Sequence, residues 1–149
     1  SHKISKNNNM QVKIKLTNGA KMPKYATDGS AGMDLSCLEG FSISPHGRFL
    51  VKTGISIELP IGYEAQIRPR SGKALKDGLS VILGTIDSDY RGDIGVIVHN
   101  IHNHSIRIEA GERIAQMVIA KYEQAQLIEV ETLSETLRGS GGFGSTGMA

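Results

Sequence analysis

Alternation of apolar and polar residues with a period of two runs through most of this chain, and it constrains the fold more than any other feature. Successive side chains of a strand point to opposite faces. "VKIKL" (residues 12–16) and "ISIEL" (55–59) therefore each present one apolar and one polar face. The pattern returns in "YEAQIRPR" (63–70), "SVIL" (80–83), "IGVIVHN" (94–100), "SIRIEAG" (105–111), "RIAQMVIAKY" (113–122) and "QLIEVETL" (126–133). Gly, Pro or Asn separate the runs, and Pro60 and Gly62 stop the second. Short strands with such breaks predict an all-β sandwich or barrel. Only "SGKALKDG" (71–78) predicts one or two helical turns, opened by Ser71 as cap and closed by Gly78.

With 149 residues the chain is expected to form one domain with a real core. Residues 1–9 are polar and are expected to be a disordered leader or an appended segment, with Met10 as a native start. Residues 10–137 carry the strand pattern. Residues 138–149 are rich in glycine, a composition that predicts flexibility when nothing is bound. The formal net charge of +2 argues against nucleic acid or an anionic membrane as a bulk partner. No apolar run approaches the roughly 18 residues that span a bilayer. Cys37 is the single cysteine, so no intrachain disulfide forms. That favours a reducing compartment; the cytoplasm is expected, with nucleus or organelle left open.

Several apparent motifs fail on context. Gly142 to Gly147 fits G-x-G-x-x-G, but a dinucleotide fingerprint opens a helix and only two residues follow. Gly72-Lys73 lacks the P-loop glycine five residues earlier, where Ile67 stands. Asp87-Ser88-Asp89 opens like a calcium loop, but the twelfth position is Val98 rather than Glu. His102 and His104 would make a zinc pair on one strand face; with no Cys or acid to complete a site, "HNIHNH" reads as a polar loop.

Four stretches and the tail carry chemistry. "AGMDL" (31–35) sets Asp34 among small residues. "RPRSG" (68–72) offers a guanidinium (Arg70), a hydroxyl (Ser71) and a bare backbone amide (Gly72), three kinds of phosphate donor. "GTIDSDYRG" (84–92) puts Asp87, Asp89 and Tyr90 on a tight turn, and "GERIAQ" (111–116) offers Arg113 and Gln116. "RGSGGFGSTG" (138–147) adds Arg138, hydroxyls, glycine amides and Phe143. Each has a plain structural reading as well: Asp34 as a turn acid, Ser71 as a helix cap, Asp87 and Asp89 as hairpin acids, Arg113 as an ion-pair partner. Together, and without a Cys–His or Ser–His pair, they suggest a phosphorylated ligand and hydrolysis by water.

These five stretches, in this order, resemble the motifs of the trimeric dUTP pyrophosphatases, over residues 31–147. The resemblance implies a β jelly roll (β-clip) fold, a homotrimer with a C-terminal arm, and active sites shared at subunit interfaces. It implies hydrolysis of dUTP to dUMP and pyrophosphate, which limits uracil in DNA and supplies dUMP for dTMP synthesis. Asp87 is the implied base for a water attacking the α-phosphorus, a task a carboxylate suits. Arg70, Ser71, Gly72, Gln116, Arg138, Ser145 and Thr146 are the implied phosphate contacts. Leu83, Gly84, Thr85 and Ile86 would read uracil by backbone, Tyr90 would pack on the deoxyribose, and Phe143 would stack on uracil. Mg²⁺ is the implied cofactor, with Asp34 near its water shell or organising the site. The tail becomes a lid over the nucleotide, where glycines allow close backbone approach. Lys73 departs from the usual Leu after "PRSG" and is expected to face solvent. A dCTP deaminase would need a Glu placed to activate water at cytosine, and no motif supplies one. A nucleotide-sensing regulator would share the fold without needing the full catalytic set.

Overall fold

The structure, a computed structural model, describes residues 10–70 and 78–144. The expected leader, the turns over 71–77, and residues Ser71, Gly72, Lys73, Ser145 and Thr146 lie outside the described residues. Those described form no helix and twelve strands.

All strand pairs are antiparallel. A five-stranded sheet runs β2(Lys24–Tyr25), β3(Gly32–Ser36), β12(Arg113–Lys121), β7(Tyr63–Arg68) and β9(Gly84–Ile86). A second sheet runs β5(Arg48–Lys52), β10(Gly95–Asn100) and β8(Leu79–Val81). Two pairs complete the body: β1(Lys13–Leu16) with β6(Ile55–Glu58), and β4(Phe41–Ile43) with β11(Ile106–Ile108). Alternation explains the core. The apolar sides of these strands converge, and Leu35, Val51, Ile55, Leu79, Val96, Val98 and Ile114 are almost fully buried. Strand β10 shows the pattern cleanly, with Val96, Val98 and Asn100 inward and Gly95 and Ile97 outward.

Asn100 is the exception among the inward residues. It is fully buried and polar, and its side chain satisfies itself on backbone. Its Nδ2 donates to the carbonyls of Ile43 (3.1 Å), Ser44 (3.2 Å) and His104 (2.8 Å), and its Oδ1 accepts from the His102 amide (2.9 Å). The "HNIHNH" stretch is thus strand at His99 and Asn100, which end β10, and the expected polar loop only over 101–104, folded around the asparagine. The His102 and His104 rings lie 4.5 Å apart, and His99 Nε2 sits 3.2 Å from the His46 carbonyl. Among the described residues no three His, Cys, Asp or Glu side chains are placed to hold a metal. Nor is any helix there long and apolar enough to cross a membrane.

Strand expectations change in two ways. Strands β2, β3, β4, β5 and β9 form outside the alternating runs; β5 ("RFLVK") pairs with β10 while exposing both Phe49 and Leu50. "QLIEVETL" alternates but forms no strand, and every residue from Glu123 to Ser140 is exposed. The body's last backbone bond to this segment is from the Tyr122 amide to the Gly62 carbonyl, 3.0 Å.

Candidate active site

The five-stranded sheet positions the first cluster. On β3, Leu35 points into the core, so Asp34 points outward. Asp34 faces Gln116 across the β3–β12 ladder, and Gln116 faces Arg68 across β12–β7. Regular alternation would put Arg113 and Gln116 on opposite faces. A β-bulge prevents this. The β3–β12 register shifts between Arg113 and Ala115, so Ile114 and Ala115 are both buried and Arg113 and Gln116 both face outward.

Pro69 ends the β7 ladder, having no amide to donate, and its carbonyl accepts from Gln116 Nε2 at 2.9 Å. Arg70 then turns back across β12. Its Nε lies 3.3 Å from Asp34 Oδ1, and its Nη1 donates to the Arg113 carbonyl at 3.1 Å. Arg113 Nη1 reaches Asp34 Oδ2 at 3.4 Å. One carboxylate thus orients two guanidiniums, leaving local net positive charge where anionic oxygens would bind. The Asp34–Arg70 pair is the better protected, at 22% and 27% side-chain exposure, whereas Arg113 is 59% exposed and contributes less. Gly32 makes room for Gln116: a Cβ there would collide with Gln116 Oε1 and lie 3.1 Å from its Cδ. Sequence reading passes over this role of Gly32; the only hint is its place among small residues.

A second cluster forms at β9. Gly84 and Thr85 pair with Ile67 and Gln66 of β7, and Ile86 anchors the turn in the core. The Asp87 carbonyl accepts from the Tyr90 amide at 3.1 Å, closing a tight turn. Thr85, Ile86, Asp87, Tyr90, Asp93, Ile94 and Gly95 line a cavity of about 220 Å³. Leu83 is 71% exposed at the entry to β9. Partial burial raises the Asp93 carboxyl above its ordinary value, against the Lys52 charge and the Gly54 amide. Ser88 Oγ and Tyr122 Oη, 3.2 Å apart, tie the turn to the start of the C-terminal segment.

The two clusters do not meet within one chain. β3 and β9 are separated by β12 and β7, three strand spacings, or roughly 14 Å. In the described part of the tail, Arg138 Nε donates to the Gly141 carbonyl (2.7 Å) and the Gly139 amide to Thr136 Oγ1 (3.0 Å). Phe143 is fully exposed at φ +50°. Among the described residues Asp34 is engaged by two guanidiniums and no three His, Cys, Asp or Glu side chains converge, a donor set that would suit a magnesium ion bound through phosphate oxygens and not a caged one.

The dUTPase family model matches residues 18–147. A deoxyuridine 5'-triphosphate nucleotidohydrolase of Wolinella succinogenes is 54% identical over 136 residues, covering 90% of this chain and 91% of its own length. One from Hydrogenobaculum sp. is 56% identical over 137 residues, covering 90% and 95%. Among solved structures, the dUTPase of Staphylococcus bacteriophage 80alpha with dUpNHpp superposes at a TM-score of 0.87 with 30% identity, covering 93% of this chain and 99% of that one. The jelly-roll expectation agrees with that match, and the chain belongs to the dUTPase family.

Proposed function

We propose that the chain hydrolyses dUTP to dUMP and pyrophosphate through a water activated by Asp87. The water oxygen bonds to the α-phosphorus, its proton passes to the Asp87 carboxylate, and the bond from the α-phosphorus to the α,β-bridging oxygen breaks. Mg²⁺ on the triphosphate would neutralise charge on the phosphate oxygens. Arg70 and Gln116, held by Asp34 and the Pro69 carbonyl, take phosphate oxygens together with Ser71 and Gly72. The backbone of Leu83 to Ile86 reads uracil, and Tyr90 packs on the deoxyribose. Arg138, Ser145, Thr146 and Phe143 close over the nucleotide from the tail. In the cell this reaction would limit uracil in DNA and supply dUMP for dTMP synthesis. The observation that carries the reading is the Asp87–Tyr90 turn, which lines a nucleoside-sized cavity with the β9 backbone beside it.

The working unit in this reading is a homotrimer with shared sites. Separation of the two clusters supports it, since a partner can bring one to the other. Exposed apolar surface supports it too. Leu50, Ile97 and Ile82 are neighbours across β5, β10 and the end of β8, all outward and 40% or more exposed. Release of pyrophosphate and ammonia from dUTP, UTP, dTTP and dCTP, with Mg²⁺, tests the activity. Pyrophosphate from dUTP alone is expected; ammonia from dCTP would make it a deaminase.

A further inference from the structure

We infer that the backbone at Gly92 and Asp93 is a latch that sets the Tyr90 ring, making Gly92 a positioning residue for the ring that packs on the deoxyribose. This rests on the proposed role of Tyr90 against the sugar. The ring is 45% exposed, so packing alone does not hold its rotamer. Two features do. Tyr90 Oη donates to the Asp93 carbonyl at 2.9 Å. The tip of the ring also lies against Gly92: a Cβ there would collide with the phenol oxygen and stand 2.6 Å from Cζ and 3.0 Å from Cε1.

The acceptor is itself fixed. Ile94, the next residue, is 1% exposed, and its amide donates to the Ile55 carbonyl at 2.8 Å. Its carbonyl accepts from the Thr53 amide at 3.3 Å and from Thr53 Oγ1 at 2.6 Å. Arg91, between ring and latch, is held outward by its bond to the Ser88 carbonyl and by Glu58 at 3.6 Å. The phenol therefore binds to a point anchored in the core, through a main-chain atom independent of the side chain at position 93. Tyr90 is among the residues lining the cavity and Gly92 is not, so in this reading the ring is the wall that Gly92 backs. Gly92 has no positive φ, and the three nearest atoms that a Cβ would meet all belong to Tyr90.

The test compares kcat and KM for dUTP and UTP in the full chain, with thermal unfolding of each variant as a fold control. Tyr90→Phe keeps the ring and removes the latch bond. Its dUTP-over-UTP ratio of kcat/KM is expected to fall by about tenfold or more as the wall loosens. Gly92→Ala presses the ring toward the cavity. KM for dUTP is expected to rise by about tenfold, with kcat less affected and the ratio not lowered. A Tyr90→Phe ratio within twofold of the unaltered chain overturns the latch, as does a Gly92→Ala KM for dUTP within twofold of that chain's. Should Gly92→Ala not fold, Tyr90→Phe still decides. Absence of dUTP turnover in the unaltered chain would sink the hydrolase reading itself, and the latch with it, an outcome distinct from an active chain with an unchanged ratio.

Discussion

Residues 113–121 and 126–133 carry the same alternation and meet opposite fates. Strand β12 lies between β3 and β7, with Ile114 and Ala115 fully buried and Met117 at 2%. In "QLIEVETL", Leu127, Ile128 and Leu133 are 92%, 75% and 86% exposed. The difference teaches that period two states that a segment needs a partner, not which partner. A long apolar arm with open backbone is suited to adding a strand to a neighbouring copy, which fits the proposed trimer.

The contrast between a built body and an arm awaiting its partner can be broken or sharpened experimentally. Asp87→Asn, in the body, should lower turnover by about 10²–10⁴ while dUTP still binds, read by single-turnover kinetics and calorimetry; near-normal turnover would remove Asp87 as the base. Truncation before Arg138 should cost about 10²–10³ in turnover and leave thermal unfolding unchanged. Full activity without the tail would mean that the body works alone. Ile114→Ala should destabilise by about 3 kcal/mol in urea, because a fully buried branched side chain is lost. Leu133→Ser should stay within about 0.5 kcal/mol for the body's own stability yet lower the trimer fraction in sedimentation. An unchanged trimer would show that the arm's apolar face does not seal it.

The smallest effect concerns Asp93. Its carboxyl is raised by desolvation, so the folded state binds the proton more tightly than the unfolded chain does. Its contribution to stability is complete below the unfolded value of 3.8 and is lost as pH rises through the raised folded value. Asp93→Asn should flatten stability across that acidic window, measured as urea midpoints at several pH values. An identical slope in both proteins would mean that Asp93 does not titrate differently on folding.

Much of the proposed site could be named from the sequence because its residues are chemically distinctive. An acid in "AGMDL", a guanidinium–hydroxyl–glycine run after Pro69, and a glycine-rich tail with one Phe each imply a restricted job. Gly32, Gly92 and Asn100 were not legible. A glycine's role is defined by what occupies the space of its missing Cβ: here the Gln116 carboxamide and the Tyr90 ring, brought there by pairing or by a turn. Asn100 looks like one more polar residue in "HNIHNH", and only its three carbonyl acceptors make it a structural centre.

By itself the sequence determined the all-β class, because strand periodicity is a local property of side-chain direction. It also determined which chemical groups are available, because those are read residue by residue. Tertiary structure alone decided where they meet. The bulge at Ile114 turns Arg113 and Gln116 to the side of Asp34, and it depends on register against β3. Distance between the Asp34 and Asp87 clusters depends on strand order, which pairs β12 with β3 and β7 across long stretches of chain. Register and strand order are settled by non-local pairing and by burial of one shared core, and neither is encoded within any single run of residues.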